Sequence, residues 1–427
     1  MKGKFSFSHR TNWSLNANPL SQALSSLRGQ NTPVIDLTES NPTRCGFQYP
    51  TEKILFSLAD PQNMLYDPCP SGSLEARMAV SRYYQRKGFE VDPKRILLTA
   101  STSEAYSYLF RLLLNPGEHV LVGRPSYPLF QFLAELNDAR MESYPMIYEG
   151  KWRIDLQALE KAIHPKTRAI ILVNPNNPTG SFVTQDELAV INQLCLKHQI
   201  ALISDEVFSD YAFEEDPGRL VSLVSTSDVL SFSLGGISKG LGLPQMKCGW
   251  IVAGGPAALV NESLARLEVI ADTYLSVNTP VQNALSQWLG WQEDISKEIR
   301  NRLKQNWESL KGLCPFEERS DEESHPEEIL RFAQNDGKTL LGSSPLHVLN
   351  CEGGWYAVLK LPSGKYSEEE WVMEFLQKDH VFVHPGYFFD FKEEPFIVLS
   401  LLPEEETFKR GVERILGRIK VLENEKS

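Results

Sequence analysis

The sequence of 427 residues predicts an α/β protein, with a large domain built on a mostly parallel sheet and a second, smaller domain. From residue 95 onward, short apolar and β-branched runs alternate with helical patterns, which is the rhythm of an α/β domain. The length and an apolar content of 42% are sufficient for two or three domains. We therefore place the large domain at residues 50–285 and the second domain in the remainder.

The elements of the large domain follow one another at short intervals. Its first strands are predicted in the runs R-I-L-L-T, H-V-L-V-G and A-I-I-L-V, each followed by a helical pattern, at 102–114, 128–137 and 184–199. The third of these helices begins with Thr184-x-x-Glu187, a capping box. Three further strands and a long helix are predicted at 200–204, 229–233, 249–253 and 257–274.

The second domain is predicted from weaker patterns. Its strands are expected at 346–350, 355–361, 381–384 and 396–401. Its last helix carries an apolar stripe at 4-3-4 spacing, formed by Phe408, Val412, Ile415 and Ile419. The acidic, Ser-rich segment 317–344 does not fit this pattern and is predicted to be a surface insertion, with an interaction segment as the alternative.

Composition limits the classes of partner and the cellular location. A net charge of -12 argues against a nucleic-acid partner and against an anionic membrane, because both require a basic face. The six cysteines show no zinc-site spacing and are expected to be buried thiols in a reducing compartment. No signal-peptide core and no run of eighteen apolar residues is found, so the cytoplasm is the expected location.

Lys239 is the first candidate for catalysis. It lies in S-L-G-G-I-S-K-G-L-G, among glycines and nearly uncharged neighbours. Such a lysine can be desolvated, which lowers its pKa and leaves a neutral amine able to condense with an aldehyde. A solvated surface lysine is the alternative explanation.

An aldehyde cofactor with a phosphate and a pyridine ring would need an anion site. The run T-A-S-T-S-E-A follows the first strand and opens the first long helix. Ser101, Thr102 and Ser103 therefore lie at a positive helix end that suits a phosphate. Simple N-capping by Ser or Thr explains the same residues.

The cofactor ring would need three further contacts, each of which follows a predicted strand. Asp205 ends the run I-A-L-I-S-D and can pair with a protonated ring nitrogen. Asn177, in N-P-N-N-P-T-G, can donate to a phenolic oxygen, and Tyr127, in R-P-S-Y-P, can stack on the ring. A solvated strand end, a turn and core packing are the respective alternatives.

Taken together, these motifs resemble the fold-type I pyridoxal-phosphate aminotransferases, class I/II, of the aspartate aminotransferase superfamily. The order T-A-S-T-S-E-A, P-S-Y-P, N-P-N-N-P-T-G, S-D-E-V-F and S-K-G-L-G-L-P-Q-M-K-C-G-W carries the resemblance, which covers the chain apart from the insertion. It implies a three-layer large domain that binds pyridoxal 5'-phosphate (PLP) at 50–285. The smaller α+β domain would be formed by both chain termini, from an N-terminal arm at 1–49 and from 286–427. A homodimer is also implied.

The resemblance assigns roles to individual residues. Lys239 matches the Schiff-base lysine, Asp205 the partner of the pyridine nitrogen, Asn177 the contact to the phenolic oxygen, and Tyr127 the stacking aromatic. Further matches concern the phosphate: Thr102, Ser103 and Ser238 in the same chain, and Tyr66, which would reach the phosphate of the neighbouring subunit.

Three positions around the cofactor depart from the family pattern. Phe208 stands where many members have a tyrosine that donates to the phenolic oxygen. Lys247 replaces the usual phosphate-binding arginine and loses its bidentate geometry. Gly236 stands where a serine often contacts the phosphate.

The substrate side departs more strongly. Val398 occupies the position of the arginine that usually holds the substrate α-carboxylate. Arg44, in E-S-N-P-T-R-C-G-F, is the candidate substitute, with a capping or inter-subunit ion pair as the alternative. Asn41 in the same segment and Asn177 are the other candidates for substrate contact.

The predicted function is transamination between an amino acid and a 2-oxo acid, with Lys239 as general base. A PLP-dependent carbon-sulfur β-lyase is an alternative, and so is a PLP-binding protein with little turnover, given Phe208, Lys247 and Val398. No metal site is predicted, because His380 and His384, in a predicted strand, share a face but are too far apart for one ion.

Overall fold

The computed structural model describes residues 6–226, 228–314, 346–364, 366–392 and 395–424. The helices of the described residues are α1 Pro19–Gly29, α2 Thr51–Ser57, α3 Leu74–Arg86, α4 Thr102–Leu113, α5 Leu129–Leu136, α6 Leu156–Ala162, α7 Gln185–His198, α8 Ile237–Gly240, α9 Ala257–Asp272, α10 Thr279–Gly290, α11 Gln292–Leu313, α12 Glu368–Asp379 and α13 Glu405–Asn424. The strands are β1 Ile35–Asp36, β2 Ile96–Thr99, β3 His119–Arg124, β4 Arg140–Tyr148, β5 Trp152–Ile154, β6 Thr167–Val173, β7 Ala201–Asp205, β8 Ser231–Gly236, β9 Gly249–Gly254, β10 His347–Val348, β11 Tyr356–Lys360, β12 Val381–Phe382, β13 His384–Pro385 and β14 Phe396–Ser400.

An eight-stranded sheet organises the large domain, in the order β2-β9-β8-β7-β6-β3-β4-β5. The five strands from β8 to β4 run parallel to their neighbours, whereas β9 is antiparallel to both β2 and β8, and β5 is antiparallel to β4. Parallel strands need crossover connections, and here helices supply them on both faces of the sheet. The predicted α/β class with a mostly parallel sheet is confirmed.

Apolar side chains cover both faces of this sheet, which makes three layers. On one face, Val120 and Ile203 pack with Leu109 of α4 and Leu267 of α9. On the opposite face, buried residues of the strands pack against α6 and α7, among them Leu121, Leu202, Leu159 and Ile191. Successive residues of a strand face opposite sides of the sheet, and both sides are buried. The strands are therefore apolar at every residue rather than at every second one.

The small domain combines both ends of the described chain. Its four-stranded antiparallel sheet has the order β10-β11-β14-β13, and a separate parallel pair joins β1 to β12 through Ile35 and Val381. The stripe predicted on the last helix is buried in this core, together with Leu20 of α1 and Trp371 of α12. The predicted small domain formed by the chain termini is therefore confirmed as a fold, while the exact limits of the domains stay a prediction.

The structure corrects one predicted strand and contains elements that the sequence did not predict. His380 ends α12 in a left-handed conformation with φ 55°. Beyond it, β12 and β13 belong to two different sheets, so His380 and His384 do not share a strand face as predicted. In the large sheet, β4 and β5 and the helix α6 between β5 and β6 were not predicted. The predicted insertion 317–344 lies outside the described residues.

Candidate active site

The candidate site lies where the carboxyl ends of the central parallel strands meet. Asp205 ends β7, the segment carrying Asn177 follows β6, and Lys239 follows β8 on the short helix α8. Ser101 follows β2, and Tyr127 follows β3. Because neighbouring parallel strands end at the same edge of a sheet, five motifs that are far apart in sequence meet there.

Asp205 is a buried carboxylate with two donors. Its Oδ2 accepts from the hydroxyl of Tyr106 at 3.1 Å, and its Oδ1 accepts from the backbone N–H of Val207 at 3.2 Å. Burial raises the pKa of Asp205 to about 6, whereas the two hydrogen bonds and the charge of Lys239 act in the opposite direction. A cation opposite Asp205 would be stabilised by this poorly solvated charge.

Lys239 lies partly buried among aromatic rings. Its Nζ is 4.6 Å from the ring centre of Trp355 and 5.7 Å from that of Phe208. Burial lowers the pKa of Lys239 to about 8, and the charge of Asp205 limits the decrease. The backbone around Lys239 is fixed by the hydroxyl of Tyr211, which donates to the Lys239 carbonyl at 2.6 Å.

The lowered pKa predicts how Lys239 reacts in the cofactor-free protein. Its folded-state pKa of about 8 lies below the ordinary 10.5, so the neutral amine is present above pH 8 and is lost as the pH falls below it. Reductive methylation followed by peptide mass spectrometry should give a half-maximal rate at Lys239 near pH 8. Lys197, an exposed lysine, provides the comparison in the same digest. A rate at Lys239 with the same pH dependence as the rate at Lys197 would contradict the prediction.

Trp355 reaches Lys239 because the loop before β11 of the small domain packs against the large domain. The carbonyl of Glu352 accepts from the N–H of Phe213, and the N–H of Glu352 donates to the carbonyl of Gly180. The N–H of Gly354 donates to the carbonyl of Tyr211. Gly180 has φ 69°, and a Cβ there would lie 2.3 Å from the Sγ of Cys351. This close approach requires glycine at 180, and it fixes the start of β11 beside Lys239.

Tyr356 joins three parts of the site. Its ring centre lies 6.4 Å from that of Phe208 and 6.2 Å from that of Phe389. Burial raises the pKa of Tyr356 to about 12, and the side chain of Ser40, near its hydroxyl, acts in the opposite direction. The N-terminal segment, the small domain and the lysine pocket are thus in contact through one neutral phenol.

Asn177 and Tyr127 lie at the same edge of the sheet in different environments. Asn177 is buried, and within the described part of the chain its Oδ1 has no hydrogen-bond partner. Tyr127 is exposed on one side and contacts Phe130 edge to face at 6.2 Å. Burial and then the charge of Asp205 raise the pKa of Tyr127, so its hydroxyl is within electrostatic range of that carboxylate.

The predicted anion site is the start of α4. Ser101 is the N-cap, and its Oγ accepts from the N–H of Glu104 at 3.2 Å. N-capping therefore occurs, but the N–H groups of Thr102 and Ser103 belong to the first turn and have no acceptor inside the helix. Ser238 lies in α8, one residue before Lys239. These groups remain available to an anion.

The structure shows the surroundings of two positions that depart from the family pattern, Gly236 and Lys247. A Cβ at Gly236 would lie 3.1 Å from the carbonyl oxygen of Cys248, which leaves little room for a serine. Lys247 is exposed and has φ 53°, a left-handed conformation. Its charge lies at the surface in the single chain.

The candidates for substrate contact are exposed or are engaged in other contacts in the single chain. Asn41 is committed to a turn, since its Oδ1 accepts from the N–H of Thr43 at 3.1 Å. Arg44 is exposed, and Tyr66 is 75% exposed. Val398 is fully buried and pairs with Val358 and His384 on the adjacent strands, so this position provides no cation for a carboxylate.

Sequence reasoning missed Tyr106, Trp355 and Tyr356. Tyr106 lies one turn after Thr102 on α4, so helical spacing could have placed it on the face toward Asp205. Trp355 and Tyr356 follow Gly353 and Gly354, and this G-G-W-Y run was a usable signal for a close backbone approach. Only the tertiary structure brings this run to Lys239.

The comparisons with known proteins agree with this geometry. The family model described as "Aminotransferase class I and II" matches residues 29–415. The chain belongs to the aminotransferase class I and II family. This aminotransferase is 28% identical over 306 residues to glutamate-pyruvate aminotransferase AlaA of Escherichia coli (strain K12), covering 69% of this chain and 74% of the relative. It is 26% identical over 406 residues to alanine aminotransferase of Mycobacterium tuberculosis (strain ATCC 25618 / H37Rv), covering 93% of this chain and 88% of the relative.

Solved structures share the fold of this aminotransferase. A crystal structure of an aminotransferase from Escherichia coli has a TM-score of 0.81 at 22% identity, covering 98% of this chain and 99% of that chain. An alanine aminotransferase from Pyrococcus furiosus also has a TM-score of 0.81, at 24% identity, covering 94% of this chain and 96% of that chain. The predicted activity, PLP-dependent transfer of an amino group between an amino acid and a 2-oxo acid, is confirmed at the level of the family.

The residues of this aminotransferase fit pyridoxal 5'-phosphate. A buried carboxylate, an amine of lowered pKa, the buried amide of Asn177, whose NH₂ can donate, and the N–H groups at the start of α4 correspond to the ring nitrogen, aldehyde, phenolic oxygen and phosphate of that cofactor. Among the described helices, none has an apolar stretch long enough to cross a lipid bilayer.

Proposed function

We propose that Lys239 is the catalytic residue of this aminotransferase and that Asp205, Asn177 and the start of α4 hold its cofactor. One observation carries the proposal: the Nζ of Lys239 lies beside buried aromatic rings, within electrostatic range of Asp205, at the carboxyl edge of the sheet. A neutral amine at this place can act as a nucleophile and as a base. A solvated lysine could do neither efficiently near neutral pH.

When bound, pyridoxal 5'-phosphate supplies an aldehyde that bonds amines and a ring that withdraws electrons from the substrate α-carbon. Asp205 would hold a negative charge against the ring nitrogen. Asn177 would donate its amide NH₂ to the phenolic oxygen. The Nζ of Lys239 would accept the proton of the substrate α-carbon and hold it as an ammonium group.

The aromatic residues control access of water to this proton transfer. Phe208 and Trp355 are buried beside the lysine amine, edge to face at 5.3 Å, and Tyr356 is buried against Phe208. Phe208 has no hydroxyl, so the phenolic oxygen would depend on Asn177 for its donor. Tyr127 would cover the ring from the side of β3.

Arg44 remains our candidate for the substrate carboxylate. The support is that Val398 is buried and uncharged, whereas Arg44 is exposed in the segment that includes Ser40, which lies near Tyr356. Asn41 would contribute its amide N–H from the same turn. Arg124 is the nearby alternative on β3, but its Nε already donates to the Asp390 carbonyl.

The test of the proposed function is a panel of single amino acids added to the purified holoenzyme. Loss of the visible cofactor band should occur with a transferable amino donor, and alanine and glutamate come first because relatives carry these names. Return of the visible band after addition of a 2-oxo acid would show the second half-reaction. Release of pyruvate and ammonia without an acceptor would instead identify a β-lyase, and no response to any amino acid would indicate a binding protein with little turnover.

The role of Arg44 is tested in the same assay. Arg44→Ala should raise the concentration of amino acid needed for half-maximal bleaching by at least about tenfold, since a charged hydrogen bond contributes roughly 1.5–3 kcal/mol. Arg410→Ala, at an exposed site on α13, is the matched control. Equal values for the two variants would dismiss Arg44.

We also propose that the enzyme is a homodimer. The segment from α2 to Tyr66 exposes several large apolar side chains, among them Phe56 at 82% and Met64 at 90%. An apolar surface of this kind marks a contact with another protein, and Tyr66 in a dimer could reach the partner's phosphate site.

Light scattering after gel filtration tests the dimer. The wild type should have twice the chain mass, and Phe56→Asp should shift it toward the monomer. Leu196→Asp, at an exposed position of α7, should remain dimeric. A wild-type monomer at micromolar concentration would exclude the proposed assembly.

The cytoplasm remains the proposed location. All six cysteines are free, and five of them are buried. Burial raises the pKa of the thiols of Cys195 and Cys248 to about 12, which makes them unreactive in the folded chain. Free thiols at this number suit a reducing compartment.

A further inference from the structure

Three metal-ligating side chains converge at the edge of the large sheet opposite the candidate active site. His119 is the first residue of β3, Glu142 lies on β4, and His164 lies in the turn between α6 and β6. The Nδ1 of His119 is 2.8 Å from one oxygen of Glu142, and the Nε2 of His164 is 3.2 Å from the other. The two histidine nitrogens are 2.7 Å apart.

The fold fixes this triangle through backbone contacts. Arg140 pairs with His119 across β3 and β4, so Glu142, two residues further on, lies on the same face of the sheet as His119. The N–H of His119 donates to the carbonyl of Lys166, and the N–H of Thr167 donates to the carbonyl of His164. The three ligand atoms therefore lie within 4.8 Å of one another without relying on long flexible chains.

Protons alone do not satisfy these three contacts. The N–H of Lys166 donates to the Nδ1 of His164 at 3.1 Å, so a neutral His164 carries its proton on Nε2. If that proton points at His119 Nδ1, the His119 lone pair faces the Glu142 carboxylate at 2.8 Å with no proton between them. If His119 Nδ1 carries its own proton, both histidines can donate to Glu142, at 2.8 and 3.2 Å, but two protonated nitrogens then lie 2.7 Å apart and that contact is not a hydrogen bond.

We propose that His119, Glu142 and His164 form a binding site for a divalent transition-metal ion, with Zn²⁺ as the best-suited ion. A cation just outside the plane of the three ligand atoms, on the exposed side, can accept a lone pair from each of them at about 2.0–2.2 Å. Two imidazoles and one carboxylate are a ligand set for Zn²⁺, whereas Mg²⁺ and Ca²⁺ prefer oxygen ligands. Binding moves the His164 proton to Nδ1, so the Lys166 peptide must turn away.

The three side chains can be reached from solvent, and they lie far from the candidate active site. The Glu142 and His164 side chains are 43% and 33% exposed, while His119 is 8% exposed. A water molecule can complete the coordination from the exposed side. The site lies about 16 Å from the carboxyl end of β3, at about 3.3 Å per residue, so the ion would cross-link β3, β4 and the turn before β6 rather than take part in amino transfer.

Titration of the untagged holoenzyme with Co²⁺, followed by Zn²⁺ competition, tests the site. After removal of metals by chelator dialysis, one equivalent of Co²⁺ per chain should give a visible d–d absorption band that Zn²⁺ abolishes. His164→Ala and the isosteric Glu142→Gln should each weaken binding by at least about tenfold. His198→Ala, an exposed histidine on α7, is the matched control and should leave the band unchanged.

Thermal unfolding gives a second measurement that does not depend on cobalt. Zn²⁺ should raise the midpoint of the wild type and of His198→Ala but not that of Glu142→Gln, because only an ion bound to the folded state stabilises it. A metal equivalent that persists in both site variants would belong to the cofactor or to another place, and would overturn the proposal. Absence of any Co²⁺ band in the wild type would overturn it equally.

Discussion

Replacement of Lys239 by alanine is expected to lower kcat/KM by roughly 10⁴-fold or more, because the variant loses both the nucleophile and the base of the site. The short helix α8 places the Nζ of Lys239 4.6 Å from the ring centre of Trp355 and within electrostatic range of Asp205. Initial rates with the donor identified in the amino-acid panel measure the loss. The visible absorption of a covalently held cofactor should also disappear.

A rescue experiment distinguishes lost chemistry from lost structure in the Lys239→Ala protein. Small primary amines added to the solution should restore part of the rate, because they can enter the volume vacated by the side chain and accept the α-proton. Lys197→Ala, which breaks only an exposed ion pair with Glu160, is the control and should keep wild-type kinetics. More than about 1% residual activity without added amine would contradict the role of Lys239 as the general base.

Replacement of Asp205 by asparagine is expected to lower kcat by about 10²- to 10³-fold, the usual effect of removing one preorganised charge from a buried site. The amide has the shape of the carboxylate but cannot balance a protonated ring nitrogen. Tyr106→Phe removes one donor to Asp205 and leaves its charge, so its effect on kcat should be clearly smaller. Steady-state rates for both variants give the comparison, and equal losses would contradict it.

The pH dependence of stability gives an independent check on Asp205. Its folded-state pKa of about 6 lies above its ordinary 3.8, so its contribution to stability is fully present below pH 3.8 and is lost as the pH rises through 6. Asp205→Asn has no such loss. In the cofactor-free protein, the variant should therefore have the higher melting temperature at pH 8, and the difference should shrink as the pH falls from 6 toward 4. A difference that is constant with pH would show that burial does not penalise this carboxylate.

The elements that the sequence predicted well are those with a local physical cause. The capping box at Thr184 is present as predicted, with the Oγ1 of Thr184 accepting from Glu187 at 3.1 Å, because its two bonds join residues three apart. The apolar strands β2, β3, β6, β7, β8 and β9 were predicted because both faces of the sheet are covered, whereas β4 and β5 were not. The strand across His380 and His384 was wrong, since the left-handed end of α12 and the pairing of β12 and β13 in separate sheets depend on distant partners.

In the candidate site, too, residues with a local sequence signal could be predicted and contacts between distant segments could not. Lys239, Asp205 and Asn177 could be named from sequence because each follows a strand at the edge where ligands bind in this fold, and their catalytic roles stay predictions. Trp355 could not be placed beside Lys239, because the contact depends on the loop at Glu352 entering between Gly180 and Tyr211. The histidine and glutamate triangle was missed for a related reason: three residues far apart in sequence meet only through strand register.

The sequence by itself therefore determined the class of fold, which predicted strands carry candidate site residues at their carboxyl ends, and which lysine is proposed to react. These depend on local spacing, on burial patterns and on the rule that parallel strands end at one edge. The tertiary structure alone decided which aromatic rings surround the amine, that Val398 is buried without a charge, and that His119, Glu142 and His164 point at one place. Those features depend on side chains from separate elements packing within a few ångströms, and no local pattern in the chain encodes that distance.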